Sequence, residues 1–157
     1  MSTSENSTPE MDDIFTEDVK LRIEETIRLA ELNTSGEIRV HIEDDCPEDP
    51  LDRASYIFAE LGMHKTELRN GVLIYLAVKD RKVAIIGDAG INVHMKAENW
   101  TSIYETMKLH FKNAEYEKGI SSAIEIVGEK IRAFFPISSA DRNELSNQVT
   151  TGTIKRK

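Results

Sequence analysis

The chain has 157 residues, 31% of them charged and 39% apolar, which fits one water-soluble globular domain with polar ends. Its formal charge of −8 argues against nucleic-acid binding, which needs clustered Lys and Arg. The same charge disfavours an anionic membrane surface and suits cations as partners. A single cysteine, Cys46, excludes an internal disulfide framework.

No stretch reaches the ~18 uninterrupted apolar residues of a membrane span, so no integral membrane segment is expected. The first residues, "MSTSENSTPEMDD", lack a basic region followed by an apolar core. No secretory signal is read there, and a cytoplasmic location is expected. Residues 1–13 carry no hydrophobic periodicity and predict a disordered arm.

Thr16 then reads as a helix N-cap, with Glu17 and Asp18 where the helix dipole favours negative charge. Val19, Ile23, Ile27 and Ala30 repeat at helical spacing. "NTSG" ends that helix, with Gly36 able to take a left-handed conformation. "EIRVHIE" (37–43) alternates strictly and predicts a half-buried strand. Ile38, Val40 and Ile42 face the core, and Glu37, Arg39, His41 and Glu43 face outward. "DDCPEDP" follows as an acidic loop.

Asp49-Pro50 opens the next helix, with Pro50 at its first position. Leu51, Ala54, Phe58 and Leu61 make its inner face, and Gly62 ends it. "GVLIYLAV" (71–78) is apolar throughout, as a strand covered on both faces requires. "KDRK" is a polar turn, and "VAIIGD" (83–88) returns as the second arm of a hairpin. Val93, Ala97, Trp100, Ile103 and Tyr104, Met107 and Phe111 keep helical spacing. Ile120, Ile124, Val127, Ile131 and Phe134 mark a last helix that Pro136 terminates. Residues 137–157 are polar and predict a flexible tail, leaving one domain over 14–136.

The crossover between strands 37–43 and 71–78 contains a helix, so the two should be parallel. With the antiparallel strand 83–88 they predict a small mixed sheet in a three-layer α/β/α sandwich. The carboxyl ends of the parallel strands place Glu43, Asp44 and Asp45 beside the turn Lys79-Asp80-Arg81. The opposite edge gathers Ser35-Gly36-Glu37, Arg69-Asn70-Gly71 and Gly87-Asp88-Ala89-Gly90.

"SGEIRVHIE", "LGMHKTELRNGVLIYLAVKDRKVAIIGDAGI" and "FKNAEYEKGI" together resemble the TPM domain family over roughly Thr16 to Phe135. Members of that family include a thylakoid-lumen protein linked to photosystem II repair. The wording here is closest to the soluble bacterial branch. The resemblance implies an α/β/α sandwich, calcium binding as in some members, and the acid phosphatase activity proposed for the plant one. The chain departs from many relatives in showing no signal sequence or membrane anchor.

Two edges compete for a ligand. Glu43, Asp44, Asp45 and Asp80, with Glu48, Asp49 and Asp52 nearby, could supply the six to eight oxygens that calcium takes, and calcium is expected ahead of magnesium. The bland alternative is a solvated loop in which Asp49 and Asp52 only cap a helix; no EF-hand spacing is present. At the glycine edge Glu37 and Asp88 are an alternative metal pair, with Arg69 adjacent. There the alternative is turn chemistry plus an ion pair to Arg69. His64, Lys65 and Arg69 could hold a phosphate, or form a solvated connector. His41 and Cys46 lack zinc-ligand spacing and read as an ordinary strand residue and an incidental thiol. Three functions follow: a cation-binding module, a metal-assisted phosphatase, or an interaction domain without ligand.

Overall fold

The computed structural model describes residues 9–137 and 146–154. Its elements are α1 (Met11–Ile14), α2 (Glu17–Glu31), β1 (Glu37–Glu43), α3 (Pro50–Glu60), β2 (Gly71–Ala77), β3 (Lys82–Gly87), α4 (Ala89–Asn92), α5 (Ala97–Lys112), α6 (Tyr116–Arg132) and β4 (Thr150–Thr151). The strands form one sheet in the order β3-β2-β1-β4. β1 and β2 are parallel, in register from Glu37↔Gly71 to Glu43↔Ala77, and β2 and β3 form the antiparallel hairpin.

The sheet is the middle layer of an α/β/α sandwich. Ile38, Val40 and Ile42 of β1, with Val72, Ile74 and Leu76 of β2, pack against Ile23 and Ile27 of α2, Ile103 and Met107 of α5, and Ile120 to Ile131 of α6. On the other face Leu73, Tyr75, Ala77 and Ala84 meet Ala54, Ile57 and Phe58 of α3. Every residue of β2 is buried, which is why its sequence is apolar on both faces. The caps behave as their chemistry requires: Thr16 accepts from the Val19 amide and Asp49 from those of Leu51 and Asp52.

Several expectations are corrected. β1 is not half-exposed, since Glu37, His41 and Glu43 are as buried as its apolar residues. The inner face of α3 is Arg53, Ala54, Ile57 and Phe58, whereas Leu51 is exposed. Gly36 is not left-handed; a Cβ there would lie 2.5 Å from the terminal methyl of Ile131, which would have to shift, so the glycine serves close packing. Gly62, at φ 69° after α3, is a glycine that does take the left-handed conformation. Gly90 has a similar packing reason, because a Cβ would overlap the Leu68 carbonyl oxygen.

Both predicted ends contain structure. The first of them includes α1, which begins at Met11 within the arm expected over 1–13. From the expected tail, Thr150 and Thr151 add a fourth strand parallel to β1, and Val149 enters the main core. Residues 1–8, 138–145 and 155–157 lie outside the described residues, and the arm and tail expectations for them stand apart from these findings.

Candidate functional site

β1 carries the polar chemistry. Its odd-numbered side chains point to the α3 face, and α3 returns a cation to meet them. Glu43, with no exposed surface, takes Arg53 bidentately, through Nε to Oε2 at 3.0 Å and Nη2 to Oε1 at 2.5 Å. The Tyr75 hydroxyl donates to Oε2 at 2.6 Å and the Ile154 amide to Oε1 at 3.2 Å. His41 Nε2 lies 3.6 Å from Oε1, an electrostatic contact beyond hydrogen-bond range. On the other side of the ring, Nδ1 is hydrogen-bonded with the Thr150 hydroxyl at 2.7 Å, and that hydroxyl is also 3.3 Å from the Val40 carbonyl, to which it donates.

Burial alone would raise the Glu43 carboxyl. His41, Arg53, Tyr75 and the Ile154 amide outweigh it and hold the group at about 2. The same network, after desolvation, pushes the Tyr75 phenol well above its usual range. Glu43 therefore stays ionised with both oxygens engaged. It fixes β1, β2, α3 and the C-terminal segment to one another and is not presented to a ligand.

The acidic edge is built next to it by backbone bonds between two loops. Lys79 and Asp80 donate their amides to the Asp44 carbonyl at 2.8 and 3.3 Å, and Asp80 Oδ2 accepts from the Cys46 amide at 2.6 Å. Asp44 Oδ1 accepts from the Met11 amide at 2.7 Å, so this edge also holds α1. Asp45 and Asp80 are exposed and Asp44 is half-buried. Lys79 is raised above its ordinary value, by Glu10 first and then by the charges of Asp44 and Asp45. Glu48 lies 3.9 Å from Arg53 and Asp49 caps α3. Among the described residues no three His, Cys, Asp or Glu side chains are grouped where they could hold a metal ion.

The glycine edge is closed by its own chemistry. Arg69 holds Asp88 through two bonds of 2.8 and 2.7 Å, and Asp88 also caps the Ala89 amide at 2.7 Å. Burial raises the Asp88 carboxyl, but Arg69 and the Ala89 amide prevail and leave it below its usual value. Exposed His64 contributes to the same field. The fold thus spends Arg69 on Asp88, with His64 near enough to act on the same carboxyl. Glu37 is buried on β1. Asn70 ties the edge shut, with its side chain on the Ser35 carbonyl and its carbonyl accepting from the Glu37 amide.

Arg53 and Tyr75 are absent from the expected sites. Each left a signal: a buried tyrosine in an apolar strand needs an acceptor for its hydroxyl, and Arg53 directly precedes Ala54 on the inner stripe of α3. Glu31 was missed too. Its carboxylate end accepts from the Ile38 amide at 2.8 Å, and burial pushes it up to about 8.

Against known proteins, the TPM domain model matches residues 10–130. This chain belongs to the TPM domain family. Its fold is similar to the BA42 protein of the psychrophilic bacterium Bizionia argentinensis, at 40% identity and a TM-score of 0.82, over 87% of this chain and 94% of that one. Two other similar folds are the N-terminal domains of a P. gingivalis protein and of cg2496 from Corynebacterium glutamicum. The first is 17% identical with a TM-score of 0.62, covering 76% of this chain and 78% of that one. The second is 13% identical with a TM-score of 0.61, over 82% and 80% respectively. A comparison with curated proteins returns no match. In this TPM domain no described helix is long and apolar enough to cross a membrane.

Proposed function

We propose that the protein is a divalent-cation-binding TPM domain, selective for calcium, whose ligands are the carboxylates of Asp44, Asp45 and Asp80. One observation carries the reading. The bonds from Lys79, Asp80 and Cys46 lock the two acidic loops together at the carboxyl ends of β1 and β2, where open α/β sheets place their ligands. Glu43 leaves the ligand set that the sequence suggested, because Arg53 and Tyr75 occupy its oxygens.

The fit is that of an open, hydrated site. Asp44 Oδ1 and Asp80 Oδ2 already accept backbone amides, so each offers one further oxygen, and waters would complete the shell. Calcium tolerates that irregularity, whereas magnesium demands near-octahedral ligands. Few protein ligands and a largely hydrated shell imply an affinity of roughly 10⁻⁴–10⁻³ M. The role is binding or regulation where calcium reaches that range. A metal-assisted phosphatase is less supported, because Arg69 is closed on Asp88 at the edge opposite the three carboxylates.

Amide NMR of the chelator-stripped protein tests this, with calcium titrated and magnesium as control. Saturable shifts at residues 44–46 and 79–81 are expected. Shifts confined to 36–37, 69–71 and 87–90 would transfer the ion to the glycine edge, and no saturation at millimolar calcium would remove the function.

A further inference from the structure

On the α5 side of the same turn lies a cleft of about 620 Å³ between the β2–β3 hairpin and the junction of α5 with α6. Its volume falls within the ~300–1,000 Å³ of small-molecule sites. The floor is hydrocarbon, from Val78 and Val83 of the hairpin and Phe111 of α5. Arg81, Lys108 and Lys112 line it as well, against Glu105 as its one acidic lining residue.

Three cations over an apolar floor are unusual in a chain of net charge −8. None of the three is closed on a carboxylate among the described residues. Lys82 also borders the cleft, but its ammonium is bound to the Cys46 and Glu48 carbonyls. Lys108 lies 5.3 Å from the Tyr104 ring centroid, a cation–π contact that orders its stem.

The backbone is costly here too. Arg81 at φ 54° and Ala114 at φ 59° are two of the three non-glycine residues with positive φ among the described residues, and both line this cleft. Such conformations are unfavourable for a residue that carries a Cβ, and they persist where the surrounding structure holds them, often around sites. The plain alternative is that Lys108 and Lys112 are solvated helix residues at i, i+4 spacing above a surface crevice. That alternative leaves Val78, Val83 and Phe111 simply as parts of the main core, and it differs from a ligand site in predicting no saturable binding of an amphipathic anion.

We propose that this cleft binds an amphipathic anion, with an aromatic or aliphatic body on Val78, Val83 and Phe111 and a carboxylate or phosphate head held by Arg81, Lys108 and Lys112. The body removes apolar surface from water, and the head takes charge-assisted hydrogen bonds. The assignment does not depend on cation binding by Asp44, Asp45 and Asp80.

Amide NMR with 1-naphthyl phosphate and, separately, decanoate tests it in calcium-free buffer. Saturable shifts at 76–83 and 105–116 are expected with at least one probe, at a dissociation constant of about 1 mM or tighter. The tighter probe identifies which pairing of body and head the cleft prefers. Inorganic phosphate and 1-naphthol, each carrying half of the chemistry, should bind at least about tenfold more weakly. Arg81→Asn keeps a residue that tolerates the left-handed backbone, and Lys112→Gln alters only an exposed side chain. Each should weaken the probe roughly tenfold with the remaining spectrum unchanged. Equal binding of 1-naphthol, indifference to both substitutions, or shifts elsewhere would overturn the proposal.

Discussion

Glu43 shows how much a single buried charge can organise. Its carboxylate receives Arg53 from α3, Tyr75 from β2 and the Ile154 amide from the C-terminal segment, and removing one partner strands the others. Arg53→Ala should cost about 3–5 kcal/mol, the usual loss when a buried ion pair is halved, read from urea unfolding at neutral pH. Because Glu43 is held at about 2 against ~4.3 in an unfolded chain, its contribution is fully present above about pH 4.3. It is lost as pH falls toward 2, an amount of about 3 kcal/mol. The acid limb of the stability curve should therefore shallow in Arg53→Ala, and an unchanged limb would contradict the assignment. Glu31 works with the opposite sign. Its folded value of about 8 lies above the unfolded one, so its contribution is complete below about pH 4.3 and is lost as pH rises through 8. Glu31→Gln can still accept from the Ile38 amide, and its melting temperature should gain on the native chain between about pH 5 and pH 8.5. A constant difference across that range would show that Glu31 does not titrate there.

At the level of elements, β1 explains both what the sequence revealed and what it concealed. Its strict alternation identified the strand, and the apolar run of β2 with the charged turn after it identified the hairpin. Alternation alone cannot say whether the polar face meets water or a buried cation, because Arg53 lies on another element. The same non-locality hid the acidic-edge geometry: Asp44, Asp45 and Asp80 were legible as charges, but their tethering by the Cys46, Lys79 and Asp80 amides was not. β4 was illegible for a different reason. Two threonines carry no period, and their place is set by Val149 in the core, the Gly152 amide on the Ile42 carbonyl and Ile154 on Arg53. Removing residues 149–157 should cost about 2–4 kcal/mol in lost burial and hydrogen bonds, measured by chemical unfolding. An unchanged stability would mean that the segment only rests on the sheet.

For the whole molecule, the three layers separate three kinds of chemistry. The glycine edge is consumed by folding, the α3 face buries a structural ion-pair network, and the carboxyl edge of the sheet keeps solvent-facing acids on one side of the β2–β3 turn and lysines on the other. Cation binding at that edge is the function this arrangement supports. It is tested most directly by thermal unfolding with and without about 10 mM calcium, where a dissociation constant of roughly 10⁻⁴–10⁻³ M gives about 1.4–2.7 kcal/mol of stabilisation. For a domain of this length that is a rise of several degrees. The shift should disappear in Asp80→Asn and survive in Asp88→Asn. No shift in the native chain, or one abolished by Asp88→Asn and untouched by Asp80→Asn, would contradict a site at the carboxyl edge.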